Sequence, residues 1–182
     1  MGIYDLCWVD DSSLLTCSAD NLVKKWSLDS DTAVKEYDQV EKRDIPRQLF
    51  TVRSLGDEGV LAVNLSGDIC RWANDGSDFS SKQRHKDLLG ALLPVGKAIW
   101  YTSENSIFRV SEDHQIVHIP ASHKQTCDRL SANSWAVFSS GFDKLLCRFE
   151  DEKEVQQVTL PNKALCMSAD ENHVYVLTFS SD

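Results

Sequence analysis

The sequence lacks any window approaching ~18 consecutive apolar residues, so it encodes no helical membrane span. It also lacks a basic excess. Nineteen Lys and Arg stand against 28 Asp and Glu, a formal charge of −9 with a pI near 5.0, which argues against a nucleic-acid partner held through its phosphates. The opening Met1-Gly2-Ile3-Tyr4-Asp5 has neither the basic nor the apolar region of a signal peptide. The six cysteines show no close pairing. That usage fits a reduced cytosolic or nuclear setting better than a disulfide scaffold. There is no Gly-rich phosphate loop, no Gly-x-Ser-x-Gly elbow and no His-Glu-x-x-His pair, so these nucleotide, hydrolase and metalloprotease chemistries have no motif to rest on. No helical period longer than about two turns is present. What remains is 182 residues, 42% apolar and 26% charged, enough for a buried core and too apolar for disorder.

What is present is a period. Lys25-Trp26, Arg71-Trp72, Arg109-Val110 and Arg148-Phe149 each place a basic residue before a large apolar one, with the second members 46, 38 and 39 residues apart. Six residues before them stand Asp20, Ser66, Glu104 and Asp143, each after a short apolar run: Leu14–Cys17, Val60–Val63, Ala98–Tyr101 and Trp135–Phe138. A repeat near 40 residues with several short strands per unit is the mark of β-propeller blades.

The strand pattern predicts an all-β fold. Four strands are expected at Ile3–Trp8, Leu14–Cys17, Leu22–Trp26 and Ala33–Tyr37. The next set is Arg47–Val52, Gly59–Asn64, Asp68–Trp72 and Phe79–Gln83. A third set follows at Leu88–Pro94, Lys97–Thr102, Ile107–Val110 and Gln115–Ile119, and a fourth at Thr126–Leu130, Ser134–Ser139, Leu145–Phe149 and Glu154–Leu160. Turn formers such as Asp10-Asp11-Ser12-Ser13 and Ser131-Ala132-Asn133 separate them. Val176–Asp182 lines up with Leu14–Asp20, so a fifth unit begins and stops at its turn acid. The expected organisation is a partial propeller of about four and a half four-stranded blades: 1–40, 41–84, 85–120, 121–160 and a half-blade at 161–182. Open blade edges leave unpaired strands, so this is expected to be a piece of a larger propeller or a half that needs a partner.

The run Thr16-Cys17-Ser18-Ala19-Asp20-Asn21-Leu22-Val23-Lys24-Lys25-Trp26-Ser27 resembles a WD repeat, in which a strand of small residues leads into a turn Asp and then a strand ending in Trp-Asp. Trp26-Ser27 departs from that last pair, and Val110 and Phe149 replace Trp in later units. A turn Asp accepts hydrogen bonds that fix the tight turn, and the terminal aromatic is suited to packing between blades. Gly2–Asp10 through Trp26, with Ala62–Trp72, is most similar to the second half of the actin-interacting protein 1 family. These are WD-repeat proteins of two propellers that work with cofilin to dismantle actin filaments. The resemblance implies a non-catalytic protein–protein module with actin and cofilin as partners, in a cytoplasmic, cytoskeleton-associated setting, with no cofactor. No partner-contacting residue carries over by motif. A generic WD scaffold in a ubiquitin-ligase, RNA-processing or trafficking assembly is the alternative.

Few residues invite chemistry. His114, His118 and His123 are spaced by four and five, but Pro120 interrupts the strand and no Cys or carboxylate matches the spacing, so they are expected to be histidines of an exposed outer strand rather than metal ligands. Cys70 and Cys147 both lie two residues before the terminal large residue of their strand. Cys127 and Cys166 both lie sixteen before Asp143 and Asp182, so all four are expected to be core hydrophobes. Cys7 and Cys17 fall on neighbouring strands and are expected to pack, reduced, in the core. The basic runs Ser81–Lys86 and Lys42-Arg43 with Arg47, and the acidic residues Asp29, Asp31, Glu36, Asp38, Glu41, Glu150-Asp151-Glu152 and Glu154, are expected on solvated loops. Such loops could form a charged docking surface, with Tyr37 or Tyr101 as exposed aromatic anchors.

Overall fold

In the computed structural model, described over residues 2–30, 32–37, 48–77, 79–83, 89–111 and 115–179, every regular element is a strand except one 3-10 turn at Gly56–Glu58. The chain divides into two compact units, Met1–Leu88 and Leu89–Asp182. In the first unit, β1 (Ile3–Asp10), β2 (Ser13–Ser18), β3 (Val23–Ser27) and β4 (Ala33–Tyr37) form one antiparallel sheet in chain order. There β5 (Leu49–Ser54), β6 (Val60–Asn64), β7 (Asp68–Trp72) and β8 (Phe79–Gln83) form a second. In the second unit, β9 (Leu89–Val95), β10 (Ala98–Ser103), β11 (Ser106–Val110) and β12 (Ile116–Ile119) form the third sheet. The fourth comprises β13 (Cys127–Ala132), β14 (Val137–Gly141), β15 (Leu145–Glu150) and β16 (Lys153–Thr159). A two-stranded hairpin, β17 (Ala164–Ala169) and β18 (Val174–Thr178), ends the described chain. The all-β expectation and the four sets of four strands are therefore observed, with ends moved by up to three residues.

One irregularity repeats in the first hairpin of each of the five sheets. The first strand of each carries one extra residue, a β-bulge, at Ile3/Asp5, Leu49/Thr51, Leu89/Leu92, Cys127/Arg129 and Ala164/Cys166. Aligning the bulges corrects two correspondences. Ala164 pairs with Thr178 as Ile3 pairs with Ser18, so Thr178 corresponds to Ser18 rather than to Thr16, and Asp182 lies outside the described residues. Likewise Cys127 corresponds to Ala164, and both are fully buried. Cys166 instead matches Arg129 and is exposed, because the bulge residue between it and Ala164 breaks the alternation that would otherwise put both on one face. The third turn is one residue shorter than its counterparts: Thr102 pairs with Ile107, against Cys17 with Val23 and Ser140 with Leu146. Glu104 has the left-handed φ (51°) that Asn21 and Lys144 have just after Asp20 and Asp143, so the shortened turn has no carboxylate equivalent to theirs.

Within each unit the sheets pack face to face. In the first, Leu15, Cys17, Val23 and Tyr37 meet Val52, Val60, Ala62, Cys70 and Trp72 of the second sheet, and Tyr37 meets Trp72 edge-on. Asp5 ties the two sheets together by accepting from Thr51 Oγ1 (2.7 Å), the Val52 N–H (3.1 Å) and the Arg53 guanidinium (2.6 Å). In the second unit, Ala91, Trp100, Ile107 and Ile119 meet Cys127, Leu130, Val137, Cys147 and Phe149. Gly90 permits the close approach there, since a Cβ on it would lie 2.7 Å from the Cys127 carbonyl oxygen. The terminal hairpin is held to the fourth sheet by Arg129 Nε donating to the Leu165 carbonyl (2.8 Å) and by a Lys163–Asp128 ion pair (3.1 Å). Each fully buried large side chain in these layers contributes roughly 1.5–3 kcal/mol.

Candidate functional site

The sequence-level candidates separate sharply by burial. His118 is exposed on β12 beside Phe108, as expected of an outer strand. His123 is not on an outer strand at all. It is buried in the loop before β13, because the loop folds inward after Pro120 and the ring finds partners on the fourth sheet. Its Nδ1 lies 3.1 Å from both Asp143 carboxylate oxygens, and its Nε2 lies 2.8 Å from Ser139 Oγ. His114 lies outside the described residues. Among the described residues no group of three His, Cys, Asp or Glu side chains is arranged to hold a metal ion.

Ser139, His123 and Asp143 share the atom order of a nucleophile–base–carboxylate relay. Ser139, however, is 0% exposed, so its hydroxyl cannot meet a substrate, and the three groups serve to satisfy one another. Asp143 also accepts the backbone N–H groups of Lys124 (2.8 Å) and Leu145 (3.1 Å). Burial pulls its pKa upward, but these donors and His123 outweigh that and hold it below the usual carboxylate range.

Cys17, Cys70, Cys127 and Cys147 are buried as expected. Burial pushes the Cys17, Cys127 and Cys147 thiols up to about 12, far from the thiolate state that reactive cysteines need. Cys7 and Cys17 share one face but are not directly opposed: Cys7 pairs with Leu15 and Cys17 with Asp5. Tyr37 and Tyr101 are both buried, which overturns their assignment as exposed anchors. Tyr37 donates its hydroxyl to the Asn74 carbonyl (3.0 Å), and Tyr101 stacks on Phe108. These rings carry too much apolar area to stay in solvent when a neighbouring sheet or ring offers cover.

The exposed aromatic that matters is Trp135. Its sequence context, an apolar run before Val137-Phe138, marked it as strand, but it sits in the turn before β14, where Asn133 Oδ1 accepts from its backbone N–H (3.2 Å). The indole donates to the Glu171 carbonyl (3.0 Å), stands edge-on to Phe138 and lies 5.0 Å beneath the Arg148 guanidinium. It borders a cleft of about 540 Å³ between the third and fourth sheets, floored by Trp100, Val137 and Phe149 and rimmed by Lys97, Arg109, Asp151 and Glu152. Arg109 and Glu152 bridge that rim at 3.1 Å. Asp151 and Glu152 form the β15–β16 turn with φ of 47° and 64°, a pair of left-handed residues that suits the twist of a two-residue hairpin.

The charged runs are thus less uniform than a solvated face. Glu154 accepts from the Ser122 N–H (2.6 Å) and hydroxyl (2.7 Å), Glu150 binds Arg148, and Glu36 binds Lys24 (3.3 Å). Asp29 is exposed. Asp31, Asp38, Glu41, Lys42, Arg43, Arg47, Arg84, His85 and Lys86 lie outside the described residues. No helix among the described residues is long and apolar enough to cross a membrane. No family model matches the chain, and no curated protein matches it.

Proposed function

We propose that this chain is a non-catalytic protein-docking module built as a partial WD-repeat β-propeller, with actin filaments and cofilin as its partners and filament disassembly as the outcome. The observation that carries the docking reading is the Trp135 cleft. It presents an aromatic ring, an apolar floor and a charged rim on the ends of well-packed strands, the composition that anchors a partner side chain. The propeller reading is supported by five successive sheets whose first hairpin carries the same bulge and by the inward-packed terminal aromatics Trp72 and Phe149. The choice of actin and cofilin rests on the resemblance over Gly2–Asp10 through Trp26 and Ala62–Trp72. In this reading binding energy alone biases a cofilin-decorated filament toward disassembly, with no covalent step.

Co-sedimentation with bare and with cofilin-coated actin filaments tests it. The expected result is enrichment on coated filaments that falls by roughly tenfold or more for Trp135→Ala, the loss typical of an interface anchor. Absence of the chain from both pellets would remove actin and leave a docking module of another assembly.

A further inference from the structure

We infer that the β14–β15 end of the fourth sheet is a second docking surface, built for an acidic peptide segment that carries an apolar side chain. Three lysines converge there on one exposed ring. Phe142, in the turn 141–144, is 46% exposed. The Lys163 ammonium lies 3.1 Å from its ring centroid, within reach of a cation–π contact. Lys144 Nζ donates to the Pro161 carbonyl (3.3 Å). Lys124, exposed, is brought alongside because its backbone N–H donates to Asp143 (2.8 Å). Two loops hold the turn in place: the Phe142 N–H donates to the Thr126 carbonyl (2.8 Å), and the Leu160 N–H donates to the Lys144 carbonyl (2.7 Å). Phe142 stands at the end of the strands rather than on a sheet face, so its exposure is set by this turn and its two flanking loops.

The aspartates of this end are turned inward. The Asp143 side chain is 8% exposed and engaged by His123, and that of Asp128 is 15% exposed and shared between Lys163 (3.1 Å) and Arg129 (3.4 Å). Glu104, exposed on the adjoining β10–β11 turn, sets a single negative charge against the three lysines. The outward charge here is therefore positive, on a chain whose formal charge is −9. Ammonium groups are compact charges that meet carboxylates, and the ring left open beside them offers apolar contact to a neighbouring side chain. Lys144 and Lys163 are already held by Pro161, Asp128 and the ring, so binding costs them little side-chain freedom. Screening confines the field of the patch to about 8 Å at physiological salt, so a short acidic segment senses these lysines and not the acids elsewhere. A nucleic acid, charged along its whole length, meets the negative remainder of the surface as well. The surface is separate from the Trp135 cleft. Trp135 precedes β14 and Phe142 follows it, with the strand, roughly 17 Å long, between them, so failure at one end leaves the other reading intact.

Fluorescence anisotropy of a fluorescein-labelled peptide of Asp and Glu residues around a central Leu is the test. The full chain is expected to bind it, with affinity falling as salt is raised. The same peptide with Asn and Gln in place of its acids is expected not to bind, and Ser in place of its Leu is expected to weaken binding severalfold. The double variant Lys124→Glu with Lys144→Glu is expected to weaken binding of the acidic peptide about tenfold or more, and Phe142→Ser severalfold. All three positions are exposed, and circular dichroism checks that the variants keep their sheet content. No binding of the acidic peptide, equal binding of the uncharged one, or undiminished binding by either variant would overturn the proposal. So would a labelled single-stranded oligonucleotide that binds more tightly than the peptide, because the lysines would then serve phosphate.

Discussion

The first and fourth sheets place the same turn in opposite surroundings. In the fourth, Asp143 is satisfied by a histidine brought in from the preceding loop, and that ring reaches on to Ser139. In the first, Asp20 holds the Ser18 hydroxyl (2.5 Å), the Leu22 N–H (3.0 Å) and the Lys24 ammonium (3.2 Å). Trp26, rather than a histidine, donates to Thr16 (2.8 Å), at the position of Ser139. Phe149 is 1% exposed against Trp100, whereas Trp26 is only half-buried. The difference shows that the turn needs an anchored carboxylate but not a particular anchor, and that burial by a neighbouring sheet decides what the anchor is worth.

The largest break in that comparison is expected at the aromatic positions. Phe149→Ala removes a ring that is 1% exposed and should cost about 3–5 kcal/mol. Trp26→Ala, on the open face, should cost about 1–2 kcal/mol, since much of its surface stays in water. Denaturant midpoints for the two variants measure the gap, and equal losses would mean that the open face is covered in solution.

A smaller break comes from the polar anchors. His123→Ala leaves Asp143 and Ser139 buried with a partner missing, at a cost of about 2–3 kcal/mol. Lys24→Ala leaves Asp20 with its hydroxyl, backbone and solvent partners and should cost less than about 1 kcal/mol. The same contrast has a pH signature. Because the folded Asp143 pKa lies below the unfolded value, its contribution is complete above the usual carboxylate pKa of about 3.9. It is lost as pH falls through the lower folded value. Asp143→Asn should therefore narrow its stability gap to the parent as the pH is taken below about 4, which unfolding curves at successive pH values would show.

What the sequence made legible follows the same division. The third strand of each four-stranded sheet and its final large apolar residue could be located because a basic–apolar pair recurs there, and Asp68–Trp72 and Ala33–Tyr37 match the observed strands. The turn acid at Asp143 could be found by spacing. Its histidine could not, since His123 lies 20 residues upstream and looks like one of three outer-strand histidines. Burial was the least legible property. Tyr37 is covered by Trp72 and Asn74, far along the chain, and Tyr101 by the ring of Phe108 on the next strand, while Trp135 is turned outward by an Asn133 turn that an apolar run conceals. Register failed where turn length varied, at Glu104, and where a bulge moved the alternation, at Cys166.

The smallest expected effect concerns the turns that close the outer strands. Asp151 and Glu152 are both left-handed in the fourth sheet, a conformation that costs a residue with a Cβ roughly 1–2 kcal/mol. Among the described residues of the corresponding turn in the first sheet, 28–30, none has a positive φ. Glycine in place of Asp151 removes the steric cost but adds unfolded-chain entropy worth about 0.5–1 kcal/mol, so Asp151→Gly should stabilise the fourth sheet by less than about 1 kcal/mol. Glu152→Gly also gives up the Arg109 ion pair, worth about 0–1 kcal/mol at this exposure, and should come out near neutral. Asp29→Gly, with no strain to relieve, should be destabilising by a few tenths to 1 kcal/mol. The opposite signs at Asp151 and Asp29, read from thermal midpoints, would trace the difference between the sheets to backbone handedness rather than to lost charge.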